Sequence, residues 1–287
     1  MNAAVLQPCR ATADAPRAGW KACLELQFAP RAGRTVAVRR RHHGPLRVQR
    51  AFHPEGPVCH LYLLHPPGGL VGGDRLQVEA EVAGGGHALV TTPAAQKVYR
   101  AAGALRAAQH QRLAVAPGGC LEWLPQEQIL FQGARLESRT RVDLAAGSRF
   151  IGWELTGLGR PAAGEGFQRG ALHSRLELWR EGRPLLLERQ RLAAGEAFMT
   201  APWGLGGHAA WGILVATPAD AAGLDRARAA LAGASGEAGA TLLEDLLVVR
   251  WRGDQPARGR ATFEHLWSEL RPALLGRAGC APRIWRT

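Results

Sequence analysis

Residues 74–90, DRLQVEAEVAGGGHALV, decide how this chain folds. Leu76, Val78, Ala80 and Val82 fall on one side of an extended backbone while Gln77, Glu79 and Glu81 fall on the other, the pattern of a half-buried strand. Gly84 to Gly86 interrupt the run before HALV resumes it. The same order of strand, small-residue turn and strand returns in LAVAPGGCLEW at 113–123 and in VDLAAGSRFIGW at 142–153. Each unit reads as an antiparallel hairpin that cannot bury a face alone, so the units are expected to stack. The predicted fold class is mainly β: an elongated two-layer or solenoid-like antiparallel body, in a single domain over residues 1–287.

Working outward, Leu172, Ser174, Leu176 and Leu178 alternate, and the turn EGRP leads into LLLERQRL, which pairs as a further hairpin. Toward the C-terminus the period lengthens. Thr217, Pro218 and Asp220 supply an N-cap, a first-turn proline and an acidic third position for a helix near 218–233, closed by Gly233. Phe263, Leu266, Trp267, Leu270 and Leu274 recur at helical spacing over 258–276, where Pro272 should bend or end the helix. LLEDLLVVRW at 242–251 reads as one strand between them. Residues 1–18 are expected to be disordered, and the tail ending in PRIWRT to be docked or ordered by a partner.

Composition narrows the function. No apolar run approaches the ~20 residues of a membrane span, and the first residues lack the apolar core of a secretory signal. Five cysteines, Cys9, Cys23, Cys59, Cys120 and Cys280, are scattered and odd in number, which favours reduced thiols and a cytoplasmic setting over a disulfide framework. The net charge is +12, and residues 31–50 carry seven arginines and no acid. A patch containing Arg39, Arg40 and Arg41 suits an acidic partner, a nucleic acid or an anionic membrane. No nucleic-acid motif accompanies it, so an acidic protein surface or plain solvent is the preferred neighbour.

No catalytic set emerges. There is no G-x-S-x-G elbow, no cysteine in a nucleophile motif, and no zinc spacing among the ten histidines and five cysteines, so the chain reads as a non-enzyme. The glycine segment LHPPGGLVGGD at 64–74 holds Gly68, Gly69, Gly72 and Gly73 and ends on Asp74. A strand pattern follows it, not the helix that phosphate binding needs, so its glycines shape the backbone. Carboxylates beside large apolar residues form a second group: Glu122 and Glu127 in LEWLPQEQILF, Asp143, and Glu154 after Trp153. Buried carboxylates must be paired with arginine, hydrated, or bound to a cation. The functional reading is a hydrated path for a divalent cation, with no permanent cofactor.

Taken together, HHGPLRVQRAFHPEG at 42–56, LHPPGGLVGGDRL at 64–76, TTPAAQKVYRA at 91–101, LEWLPQEQILF at 121–131, LTGLGRPAAGEGF at 155–167 and PRIW at 282–285 resemble the urease accessory protein UreD family, called UreH in some species. The resemblance implies a non-enzymatic maturation factor, mostly β with paired C-terminal helices. It binds apo-urease and UreF, with the GTPase UreG reached through UreF, and it passes nickel through an internal tunnel. Carried over, Asp74 and Glu127 match family carboxylates, Asp143 and Glu154 match by neighbourhood, and Arg160 is a carboxylate partner. Arg39, Arg40, Arg41, Trp267 and Trp285 are the candidate partner contacts. The alternative kept open is a stand-alone metal-binding or storage protein that uses its histidines.

Overall fold

The computed structural model describes residues 19–286, so the disorder expected of residues 1–18 lies outside the described residues. The chain begins with a hairpin of β1 (Lys21–Arg31) and β2 (Arg34–His43), then passes through β3 (Arg47–Val48), β4 (Cys59–Leu64) and β5 (Gly69–Leu70). Three coils follow: β6 (Arg75–Val82), β7 (His87–Thr91) and β8 (Gln96–Val98); β9 (Ala107–Val115), β10 (Cys120–Leu124) and β11 (Gln128–Leu130); β12 (Arg135–Leu144) and β13 (Arg149–Leu158). The hairpin of β14 (Ala171–Arg180) and β15 (Arg183–Ala193) closes one sheet. The chain ends with β16 (Ala210–Thr217), α1 (Ala221–Leu231), β17 (Glu237–Leu243), β18 (Leu246–Gly253) and α2 (Pro256–Leu275).

Two sheets stack face to face. The outer one has the order β15-β14-β12-β9-β6-β1-β2, and the inner one runs β17-β18-β16-β13-β10-β7-β4-β3. The body is thus mainly β and solenoid-like, with two C-terminal helices, as expected, but the repeated units are not hairpins. β6 pairs with β9 and β9 with β12 in parallel, as do β7 with β10 and β10 with β13. Each small-residue turn carries the chain across from one sheet to the other, and Gly85, Gly118 and Gly147 sit at the same left-handed place in it, with φ of 69°, 69° and 70°.

Burial explains why the arms separate. β12 alternates buried and wetter residues because its outer face meets solvent, whereas all five residues of β10 are buried. A strand covered on both faces belongs in the middle of a layered structure, beside others like it. Along the inner sheet, Leu121 and Phe150 face the outer sheet, while Leu124, Ile151 and Leu214 face the core under α2, which contains Phe263, Leu266 and Leu270.

The helices refine the expectations. Asp220, not Thr217, caps α1, its carboxylate accepting from Gly223 N at 2.8 Å. Pro272 lies inside α2, which runs on to Leu275 and ends at a left-handed Gly276. The missing proline N–H costs one helical bond, which the packed face of α2 absorbs. Residues 242–251 form a tight hairpin between β17 and β18, because Glu244 takes a positive φ of 54° and turns the chain. Cys23 is disulfide-bonded, which corrects the expectation of reduced thiols throughout; Cys59, Cys120 and Cys280 are free. Chain spacing does not report which Cβ atoms approach in space.

One buried network bolts α2 to the inner sheet. Arg271 has no exposed surface. Its Nε donates to Glu122 Oε2 at 3.0 Å and its Nη2 to Glu122 Oε1 at 3.0 Å, while Nη1 and Nη2 reach the two oxygens of Glu55 at 2.8 and 2.7 Å. His87 meets Glu122 at 2.6 Å, Trp267 Nε1 donates to it at 2.6 Å, and His60 meets Glu55 at 2.7 Å. Arg271 also donates to the Ala278 carbonyl of the tail. Burial alone would raise the Glu55 carboxyl, but the hydrogen bonds from His60 and Arg271 outweigh it and hold it down to about 2.

Arg271→Ala takes the guanidinium from the buried Glu122 and the half-buried Glu55 and is expected to cost about 3–5 kcal/mol in urea denaturation followed by tryptophan fluorescence. The lowered Glu55 value fixes the sign of the acid response: the contribution is complete above pH 4.5 and is lost as the pH falls toward 2. Wild type should therefore lose stability across that window faster than Arg271→Ala does, and parallel curves would contradict the network's role.

Candidate functional site

A stacked β body should be apolar between its sheets, and most of this one is. The exception is a polar band. At inward positions of the outer sheet stand Gln109 and Gln111 on β9, Ser138 and Thr140 on β12, and Ser174 on β14, where the strand register brings Gln111 beside Thr140 and Ser138 beside Ser174. β15 adds Glu188 and Gln190. Facing them, β13 contributes Glu154 and Thr156. Between these groups lies a cavity of about 380 Å³, with His65, Gln96 and Lys97 toward one end. A second, much smaller space of about 20 Å³ lies beside Glu188, Gln190 and Trp211.

Glu154 borders both spaces. The Thr140 hydroxyl donates to its Oε1 at 2.5 Å and also lies 2.7 Å from Gln111 Oε1. One hydroxyl proton cannot serve two acceptors, so the Gln111 amide is best turned to present its NH₂ to Thr140. Burial pushes the Glu154 carboxyl up to about 7, with the Thr140 hydrogen bond opposing and the Glu188 charge adding. Trp211 Nε1 donates to Gln190 Oε1 at 2.7 Å.

The rim of this space holds unused hydrogen-bonding capacity. Both ring nitrogens of His65, the Gln96 side-chain nitrogen and the Gln109 side-chain oxygen are buried with no partner among the described residues. Burial lowers the His65 pKa, with the Asp74 charge opposing. Buried polar atoms that lack protein partners are satisfied by water, and the cavity has room for several molecules. The space thus combines apolar walls with oxygen, amide and imidazole groups and carries Glu154 and Lys97 as charged side chains; scattered oxygen donors and water are the surroundings that a hard or borderline cation accepts. Among the described residues, no three His, Cys, Asp or Glu side chains lie together as a ligand set.

Of the four carboxylates expected on a cation path, the fold brings only Glu154 to this cavity. Glu127 points the other way: its neighbours Gln126 and Gln128 line the cavity, while Glu127 lies 3.3 Å from Arg260 of α2. Asp143 sits on the outer face, bound by Arg141 at 2.7 and 3.0 Å. Asp74 is buried with both oxygens engaged, Oδ1 by Trp20 N at 2.7 Å and Oδ2 by Val71 N at 2.8 Å. Alternation places successive side chains on opposite faces, and neighbourhood in the chain does not say which face is the cavity.

The glycines of 64–74 shape backbone. Gly68 and Gly73 have φ of 76° and 102°. A Cβ on Gly69 would come within 2.3 Å of Tyr99, and one on Gly72 within 3.0 Å of Leu105. Arg160 pairs with Glu165 at 2.6 Å and lies over the Phe131 ring. Arg39, Arg40 and Arg41 lie on the edge strand β2, with Arg39 bound to Glu25 at 2.8 Å. Trp267 is 1% exposed and packed in the core, edge-on to Trp285, so it is no surface anchor; Trp285 is half-buried, its Nε1 donating to Thr91 Oγ1 at 2.9 Å.

Sequence reading missed Arg271, Thr140, Gln111 and Glu188. The last three carried a usable signal: polar residues at the parity that otherwise holds Leu113, Val142 and Leu186.

Since the Glu154 value is raised, its ionisation opposes folding as the pH climbs from the usual carboxylate range near 4.5 through 7. Glu154→Gln is expected to gain on wild type over that span, by about 3 kcal/mol at pH 8. Urea midpoints at pH 5 and pH 8 measure the difference, and an advantage no larger at pH 8 than at pH 5 would refute it.

Comparison with known proteins gives a consistent answer. A family model described as UreD urease accessory protein matches residues 21–286. A urease accessory protein UreD of Alkalilimnicola ehrlichii is 49% identical over 271 residues, covering 94% of this chain and 92% of that protein. Another, from Azoarcus sp. (strain BH72), is 49% identical over 276 residues, covering 95% and 96%, and one from Klebsiella aerogenes is 46% identical over 271 residues, covering 94% and 97%.

Proposed function

The chain belongs to the urease accessory protein UreD family, and from that premise we propose that it is a non-catalytic scaffold for urease maturation that carries nickel in transit. In this reading it binds apo-urease and UreF, and it meets the GTPase UreG through UreF. The work takes place in the cytoplasm; among the described residues no helix is long and apolar enough to cross a membrane.

The observation that carries the reading is the polar band around Glu154, running through a sandwich that is apolar elsewhere. Polar groups inside a β core cost stability unless something uses them. A passage for Ni²⁺ is such a use. Water and scattered oxygen donors take over part of the ion's hydration shell without closing a full ligand set, so the ion binds weakly and leaves quickly. The histidine-based storage reading needs clustered ligands, and the described residues offer none. Arg39, Arg40 and Arg41, with Trp285, are assigned to partner contact, since β2 presents its arginines on a free sheet edge.

Two substitutions separate passage from scaffold. Ser174→Phe fills the polar space with a ring, and Glu154→Ala removes the carboxylate that borders both spaces. Each is expected to lower nickel incorporation into urease about tenfold or more, measured by metal analysis of the purified enzyme, while the assembled complex elutes unchanged in size-exclusion chromatography. Normal incorporation by an intact complex carrying Ser174→Phe would sink the passage.

A further inference from the structure

Asp74 ends the glycine segment, yet it faces neither the cavity nor solvent. It is 2% exposed, and its two oxygens are taken by backbone N–H groups from different parts of the chain, Trp20 at 2.7 Å and Val71 at 2.8 Å. A carboxylate used in this way gains two charge-assisted bonds and fixes both donors within a few ångströms of each other. Around it the backbone is locked further. Arg75 N donates to Trp20 O at 2.8 Å, and Gly73 N donates to Arg106 O at 3.0 Å. Gly19 lies so close to Gly73 that a Cβ there would meet its carbonyl at 2.2 Å.

What this locked backbone displays is apolar. Trp20 is 60% exposed and Val71 is 44% exposed. Single exposed apolar residues are ordinary, but two held by one buried carboxylate, on backbone this constrained, are presented at little entropic cost to an incoming surface. The charge nearest them is mostly positive: Arg106 lies 2.9 Å from His173, and Glu137 on the adjoining strand β12 is paired with Arg139. Arg75 and Arg106 are exposed, and the neighbouring segments 19–21, 71–75 and 101–108 contain no acid other than the engaged Asp74. Apolar anchors ringed by guanidinium groups complement an acidic segment that carries an apolar side chain of its own.

We propose that Trp20 and Val71, held by Asp74 and flanked by Arg75 and Arg106, are a docking site for an acidic, apolar-anchored segment of a partner protein in the maturation complex. The site rests on the scaffold reading above and is separate from the polar cavity. It assigns the glycine segment a role in assembly rather than in conduction.

The test measures binding by biolayer interferometry, with purified apo-urease and purified UreF–UreG complex as probes. Trp20→Ser with Val71→Ser changes only exposed side chains and should leave the melting temperature unchanged while weakening one probe at least tenfold. Arg75→Glu with Arg106→Glu should weaken the same probe and flatten its salt dependence. If both double variants melt like wild type and bind both probes like wild type, the docking site is wrong. If the apolar pair matters but the charge reversal does not, the acidic chemistry of the partner is wrong, and the proposal falls as stated. Should wild type bind neither probe, the scaffold reading itself fails and this inference with it; loss of nickel incorporation with intact binding would instead concern the cavity alone.

Discussion

The inner sheet is covered on both faces, and most of what this protein does follows from that constraint. With the outer sheet on one side and α2 on the other, each inner strand sends alternate residues into two different cores. Neither face meets solvent broadly, so any ionisable group placed there must find a partner, water or a cation. The chain places two carboxylates in the buried strands of this sheet, and they meet opposite fates. Glu122 faces the helices, where Arg271, His87 and Trp267 surround it. Glu154 faces the other sheet, where it meets hydroxyl and amide groups and no cation.

Electrostatics follow from those neighbours. For Glu122, burial works against ionisation, but the His87 and Arg271 contacts prevail and its pKa is lowered. For Glu154 burial prevails, and the group titrates near neutrality. A buried carboxylate fully paired with arginine belongs to the architecture and has no capacity left for cargo. Glu154, which borders a cavity and has a hydroxyl but no cation as its partner, retains that capacity. The distinction separates the structural half of the inner sheet from the half suited to nickel.

The glycine segment gains a different meaning from the same kind of accounting. Asp74 looks like a ligand in sequence because it is an acid in an apolar, glycine-rich run. In space its lone pairs are already engaged by Trp20 and Val71, and the consequence is displayed outward, at a basic and apolar surface. The proposed passage and the proposed docking site thus lie on different parts of one chain, so each can be altered without the other.

Alternation and turn chemistry made the β class, the repeat of strand, turn and strand, and both C-terminal helices legible from the chain alone, because these depend on periods of a few residues. Parity also marked Gln111, Thr140 and Ser174 as polar groups on buried faces, had the inward positions been compared across the repeats. Whether two arms of a unit pair with each other or with the next coil was decided only in three dimensions, since it depends on how many faces of each strand are covered. The same holds for Asp74, Glu127, Asp143 and Glu154: local sequence shows that each carboxylate sits beside apolar residues, but not whether its partner is local, as Arg141 is for Asp143, or distant, as Trp20 is for Asp74 and Arg260 of α2 for Glu127. Which carboxylate is left without a cation is a property of the assembled layers.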